Sequence, residues 1–313
     1  MIAIPAAAKA PTLSTIVSFN PLAGELPESI AADADGNLYV SMLAEVRKVS
    51  DAGLVSTLVS LPVPPNTSTT GVKFGPNGSL FVNTASFDPT LDVAGVWQVS
   101  PDTGDAELFA SLEPGGFPND LAFDAAGNAF VTDSFLGRIY KITPDGTASV
   151  WLSDPALLGN PSAPVLGLHE FGANGIAFDK HDRNLYVANL DFGTILQIRV
   201  RPNGTPGPVE VFASDPLLLG ADGIAFDKQG TLYVAVNAQD RIATVDKRGR
   251  VCVAVEGGAL DSPSAFAFGV QHQDRRTLFI TNFAIARALG IKPGTPNPAI
   301  LGLRVQPGGL PLP

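Results

Sequence analysis

Asn174-Gly175-Ile176-Ala177-Phe178-Asp179 and Asp222-Gly223-Ile224-Ala225-Phe226-Asp227 are nearly one phrase written twice, and four looser copies complete the set. These are Glu28-Ser29-Ile30-Ala31-Ala32-Asp33, Thr70-Gly71-Val72-Lys73-Phe74-Gly75, Asn119-Asp120-Leu121-Ala122-Phe123-Asp124 and Ser264-Ala265-Phe266-Ala267-Phe268-Gly269. Successive copies start 42, 49, 55, 48 and 42 residues apart. A recurrence at that spacing marks repeated supersecondary units that bury their apolar faces against one another.

Each phrase runs into a turn, such as Asp35-Gly36-Asn37, Asn77-Gly78 or Gln229-Gly230, and then into a second apolar strand. Those second strands include Leu38-Tyr39-Val40, Leu80-Phe81-Val82, Ala129-Phe130-Val131, Leu185-Tyr186-Val187, Leu232-Tyr233-Val234 and Leu278-Phe279-Ile280. A third, alternating strand follows, as in Val96-Trp97-Gln98-Val99 and Ile195-Leu196-Gln197-Ile198. The fourth strand shows how the chain closes. Val55-Ser56-Thr57-Leu58-Val59-Ser60-Leu61 is echoed by Leu13-Ser14-Thr15-Ile16-Val17-Ser18-Phe19, which has no strands before it, while the last repeat stops at Ala299 to Val305 without a fourth strand. The two orphans make one sheet and remove both open edges. The chain therefore reads as an all-β protein, one six-bladed β-propeller domain over residues 1–313, with four-stranded antiparallel blades and the N-terminal strand completing the last one.

Composition agrees. Of 313 residues, 16% are charged and 45% hydrophobic, and 32 Gly with 27 Pro suit a turn-dense β protein. The formal charge of −10 repels a phosphate backbone, which argues against nucleic-acid binding. No apolar run reaches the roughly 20 residues of a membrane span. Cys252, the only cysteine, excludes an intrachain disulfide and reads as a core thiol within Val251-Cys252-Val253. Met1 to Ala10 is apolar but interrupted by Pro5 and Lys9, so residues 1–12 read as a tail or the stub of a trimmed signal, leaning toward a secreted or periplasmic location. Asn66, Asn77 and Asn203 fit the glycosylation pattern, although Asn-Gly is also ordinary turn chemistry. A closed ring makes a monomer the default.

The first strand of a propeller blade lines the axis, so the first positions of the six phrases form a ring: Glu28, Thr70, Asn119, Asn174, Asp222 and Ser264. All six carry side-chain oxygen and two are acids. Such a ring, buried, calls for a hard cation with oxygen ligands, and Ca²⁺ is the natural candidate, with Mg²⁺ and Mn²⁺ also open. No His or Cys cluster suggests zinc or copper.

Glu28 before a short β phrase, Pro118-Asn119-Asp120, Asn174-Gly175 and Asp222-Gly223 together resemble the senescence marker protein/gluconolactonase family, within the wider calcium-dependent phosphotriesterase superfamily. The resemblance implies that Glu28, Asn174 and Asp222 are metal ligands and that Asn119 is a further ligand or a substrate-binding amide. Ser29-Ile30 stands where the family usually has Gly-Pro, and no residue matches the arginine that sugar-lactone members use on substrate.

The implied chemistry is metal-dependent hydrolysis of a lactone or related ester, the cation polarising the substrate carbonyl. Asp222 is the leading base for water and His169, five residues before Asn174, the alternative. Thr70 and Ser264 complete the ring as substrate contacts. Asp133, Asn189 and Asn282, at the ends of second strands, are read as a polar pocket wall. Phe87, Phe135, Phe171, Phe192 and Phe283 fall at repeat junctions and shape either a pocket or the gaps between blades. The longest insertions, Leu61 to Thr69, Ala156 to Gly172 and Ala284 to Asn297, decorate a face and carry substrate choice. Two other readings compete: non-hydrolytic condensation or cyclisation in the same funnel, and a binding propeller with a purely structural ion.

Overall fold

The protein is described here as a computed structural model covering residues 12–88, 90–167 and 169–310. The tail reading falls almost wholly on residues 1–11, outside the described residues. Six antiparallel four-stranded sheets follow the six repeats. Their innermost strands are Ser29–Ala32, Ser68–Phe74, Pro118–Phe123, Ala173–Phe178, Ala221–Phe226 and Pro263–Phe268. The sixth sheet closes as expected: Leu13–Ser18 lies antiparallel beside Ala299–Arg304, with Leu13 opposite Leu303 and Ser18 opposite Ala299. The chain is a six-bladed β-propeller.

Burial grades outward across each blade, which explains why its strands look so different in sequence. The second strand of the first blade, Leu38–Met42, is buried at every residue, whereas the outermost, Val55–Ser60, is mostly exposed. A strand covered on both faces needs no polar alternation; an outer one does. Cys252 shows the same gradient. It sits on the outermost strand of blade five, Val251–Glu256, and is exposed, so the core-thiol reading is corrected. The Asn77-Gly78 and Asn203-Gly204 segments form turns in which Gly78 and Gly204 take φ of 79° and 78°, a region open to glycine at little cost.

The core is a series of seams between neighbouring blades. Leu301 and Leu303 pack with Tyr233, Ala235 and Ile242 of blade five, while Ile300 and Phe279 of the same composite blade pack with Ile30 and Val40 of blade one. The closing blade thus wedges between the first and fifth, so its loss would open two seams at once. Leu301 is fully buried; Leu301→Ala is expected to cost about 2–5 kcal/mol in chemical denaturation. Removing the chain through Ser18 should lower the melting temperature and also produce concentration-dependent association in light scattering, because Ala299–Arg304 becomes an open edge.

Candidate metal and substrate site

The ring residues reach the axis because the inner strands are bulged there. In blades two to six the register against the second strand slips between Thr69 and Val72, Pro118 and Leu121, Ala173 and Ile176, Ala221 and Ile224, and Pro263 and Phe266. Thr70, Asn119, Asn174, Asp222 and Ser264 all lie within these slips. A bulge releases a residue from the ladder and re-aims its side chain. Glu28 precedes the regular pairing of blade one, its N–H bonded to Ser41 O at 2.9 Å.

The position after each bulged residue carries the packing. A Cβ added at Gly175 would stand 2.3 Å from Asp222 O, and one at Gly223 2.4 Å from Ser264 O. Neighbouring inner strands approach too closely there for a side chain. Where that position is serine or aspartate, its side chain bridges blades: Ser29 Oγ accepts from Val72 N at 3.2 Å and Asp120 Oδ2 from Ile176 N at 3.3 Å.

Four of the six ring residues turn their polar groups to a cavity of about 440 Å³ at one mouth of the axis: Glu28, Asn119, Asn174 and Asp222. Thr70 also lines it, but its hydroxyl is committed to Pro118 O at 2.7 Å. Ser264 donates to Glu28 O at 2.5 Å and is not in the cavity wall; it ties blade six to blade one. Asn119 Nδ2 donates to Ser134 Oγ at 3.0 Å, which leaves its carbonyl oxygen for the cavity side.

Glu28 Oε2 and Asn174 Oδ1 are buried with no hydrogen-bond partner. Burial first, then the charges of Asp222 and Asp120, push the Glu28 carboxyl well above the usual carboxylate range, against a weaker pull from Lys73 and Ser41. Burial and the Asp120 charge do the same to Asp222, opposed by hydrogen bonds from Asn237, Gly223 N–H and Asn174. Two enclosed acids, Glu28 with one oxygen unpartnered, lack a full compensating positive charge among their neighbours. Lys73 does not supply it in full, because its Nζ is paired with Asp120 Oδ1 at 3.4 Å. Among the described residues no three His, Cys, Asp or Glu side chains converge as a metal cluster. The donor set is instead two carboxylates with carboxamide oxygens, which is hard-cation chemistry.

Asn237 was missed in the sequence. It lies one residue past the second strand of blade five, lines the cavity, and donates from Nδ2 to Asp222 Oδ2 at 3.1 Å, while its Oδ1 is another buried, unpartnered oxygen. The expected wall residues Asp133, Asn189 and Asn282 sit one position earlier in their blades, and side chains alternate along a strand, so all three face away. They are fully buried and staple loops. Asp133 Oδ1 accepts from the N–H groups of Phe117, Phe135 and Leu136. Asn189 donates to Ala156 O and Leu158 O, and Asn282 to Ala259 O and Asn297 O. The residues one step on, Leu190 and Phe283, are the ones that line the cavity, as does Leu43 in blade one.

Three insertions build the walls above this floor. The segment before blade four is pinned by the buried Asp191, which accepts from Asn160, Val165 and Phe171 N–H groups at 2.8–3.0 Å. It presents His169 and Phe171 to a cluster in which Phe87 and Phe117 stand 5.0 Å apart and Phe117 and Phe135 4.8 Å apart. His169 lies at the cavity rim, its ring tilted over Phe87 at 5.6 Å and Phe135 at 5.3 Å. Phe87, Phe171 and Phe283 line the cavity, Phe135 backs them, and Phe192 is exposed elsewhere. The blade-six insertion carries a short helix, Ile285–Ala288, held where Arg287 bonds Asp240 Oδ2 (3.1 Å) and Asp261, and Lys292 bonds Asp240 Oδ1 (2.8 Å).

The family model of the SMP-30/Gluconolactonase/LRE-like region matches residues 90–284, well over half of the sequence. The chain belongs to this family. It is 27% identical over 142 residues to lactonase drp35 of Staphylococcus aureus strain MW2, a match spanning 42% of this chain and 39% of that protein. The chain thus aligns with well under half of that relative's length. A gluconolactonase structure from Xanthomonas campestris superposes with a TM-score of 0.66 at 18% identity, covering 94% of this chain and 89% of the other. A calcium-binding protein, regucalcin, from Agrobacterium tumefaciens strain C58 does so with 0.67 at 17% identity, covering 95% and 96%. At such identities the two structures establish a shared fold. No helix among the described residues is long and apolar enough to cross a membrane.

Gly175→Ala should destabilise the blade four–five junction by about 1–3 kcal/mol, since backbone must shift to admit the methyl. Thermal denaturation measures this. The Asp240 pair gives a pH signature. Burial pushes its carboxyl up, but the Lys292 ammonium, the Ser262 N–H and Arg287 outweigh it and hold the pKa below its ordinary 3.8. A depressed folded pKa contributes stability above the unfolded value and loses it as pH falls through the folded one. The melting-temperature gap between wild type and Asp240→Asn should therefore be widest near neutral pH and close below about 3.8.

Proposed function

We propose that the protein hydrolyses lactones or related esters with Ca²⁺ held by Glu28, Asn119, Asn174 and Asp222, and that Asp222 is the base that holds the attacking water. The observation that carries this is the convergence of two buried acids with the unpartnered Glu28 Oε2 and Asn174 Oδ1 on the floor of a substrate-sized cavity. Membership in a family that includes lactonases supports it, as does the calcium-binding description of a structural neighbour. When bound, a divalent cation would polarise the scissile carbonyl and offset the charge that develops on its oxygen.

The chain's own residues do the rest. Asn237 bonds Asp222 Oδ2 and, with the hydrogen bonds from Gly223 N–H and Asn174, holds the carboxylate at the floor, where it would take a proton from water. Asn119, anchored by Ser134, orients its amide toward the same space. The aromatic walls enclose the reacting ester and exclude bulk water, which strengthens every polar interaction at the floor. Among the described residues His169 has no hydrogen-bonded group orienting its ring, only the faces of Phe87 and Phe135, so it closes the mouth.

The test is lactone and aryl-ester hydrolysis before and after EDTA, with Ca²⁺, Mg²⁺ and Mn²⁺ added back, alongside melting temperatures. Activity should vanish with chelation and return with Ca²⁺, and Asp222→Ala should lower kcat by at least about 10²-fold. Calcium should raise the melting temperature of wild type and not of Glu28→Gln. His169→Ala should move KM more than kcat. Chelation that lowers only the melting temperature, with no ester turned over, makes the ion structural.

A further inference from the structure

The cavity is polar only at its floor and one patch of rim. Leu26, Leu43, Phe87, Phe283, Ile285 and Leu289 line it from blades one, two and six, together with Leu166 and with Phe171, whose ring lies 6.0 Å from that of Phe87. Among the described residues no Lys or Arg lines it: Arg287, the nearest by sequence to the wall, is spent on Asp240 and Asp261. Phe87 and Leu289 remain 45% and 50% exposed, large apolar groups left facing solvent at the mouth of a concave site. A ligand covering them would remove that surface from water, and a volume of 440 Å³ admits one of small-drug size. A polyhydroxylated ring would instead place hydroxyls against phenyl and isobutyl groups, losing water without gaining partners.

We infer that the walls select a cyclic ester bearing an aliphatic tail over a sugar lactone, the ester group resting on the polar floor and the tail lying along Phe87, Phe283 and Leu289. This rests on the hydrolase reading above and deepens it by naming the substrate class. Each methylene moved from water to the wall should raise affinity by up to roughly fourfold until the cavity is filled.

Two parallel series keep this inference separable from the hydrolase reading. In the first, kcat/KM is measured for δ-valerolactone, its propyl- and pentyl-substituted homologues, and δ-gluconolactone. In the second, binding of the corresponding δ-lactams, which resist hydrolysis, is measured by calorimetry. The expected result is that both kcat/KM and lactam affinity climb with tail length and that δ-gluconolactone falls at least tenfold below the pentyl lactone. Phe87→Ser and Leu289→Ser, both at exposed positions, should flatten the dependence. Flat lactam affinities, or a preference for δ-gluconolactone, overturn the inference even if lactones are hydrolysed. Lactam affinity that climbs while no lactone is turned over sustains the apolar site and sinks the hydrolase reading instead.

Discussion

At the axis, neighbouring inner strands come so close that a β-carbon on Gly175 would lie 2.3 Å from the backbone of Asp222. Fold and site both depend on this approach. It restricts the second position of the phrases to glycine, alanine or a side chain that bridges blades, and in blades two to six the first position leaves the ladder in a bulge. Once released, that side chain has only the axis to enter. A repeat needed for packing therefore delivers, as a geometric by-product, a ring of side chains that each blade is free to vary. Thr70 and Ser264 are spent on tying blades together, and the other four are left facing the cavity.

The ring's electrostatics follow from the same crowding. Asp120 and Asp222 are near enough to raise the proton affinity of Glu28, and Asp120 that of Asp222, while Lys73 is paired with Asp120 and offsets Glu28 only in part. One negative site thus stays without a partner at the floor. Buried acids in that state either take up protons or recruit a cation. The unpartnered oxygens of Glu28, Asn174 and Asn237 favour the cation, because protonating a carboxylate does nothing for an amide carbonyl.

How much of this could be read from the chain depends on what varies with short-range pattern. The six phrases, the closing strand and the ring were legible because each is a local pattern repeated. Asn237 was not. The residue just past the second strand is Leu43, Leu190, Asn237 and Phe283 in the four blades where it lines the cavity, and an error of one position exchanges such a residue for a loop staple, as Asn189 and Asn282 show. Cys252 was misjudged because a run of three apolar residues looks the same on an inner strand and an outer one; the number of strands separating it from the axis decides. The aromatic cluster is assembled from residues 87, 117, 135 and 171, whose association no local pattern announces.

Floor and wall are thus built by different parts of the chain. The floor belongs to inner strands locked by seams on both sides, where even a methyl is excluded at Gly175. The walls belong to insertions held by a few acids, the buried Asp133, Asp191 and Asp261 and the half-buried Asp240, each accepting backbone N–H groups or an arginine from the loops around it. Such an anchor fixes where a loop stands without dictating the side chains between its contacts. Wall residues can therefore change from polar to apolar with little cost to the seams, whereas the floor cannot change without the axis itself repacking. That asymmetry accounts for a chain that belongs to the SMP-30/Gluconolactonase/LRE-like family and keeps its six-bladed repeat while the walls of its pocket are lined by phenylalanine and leucine.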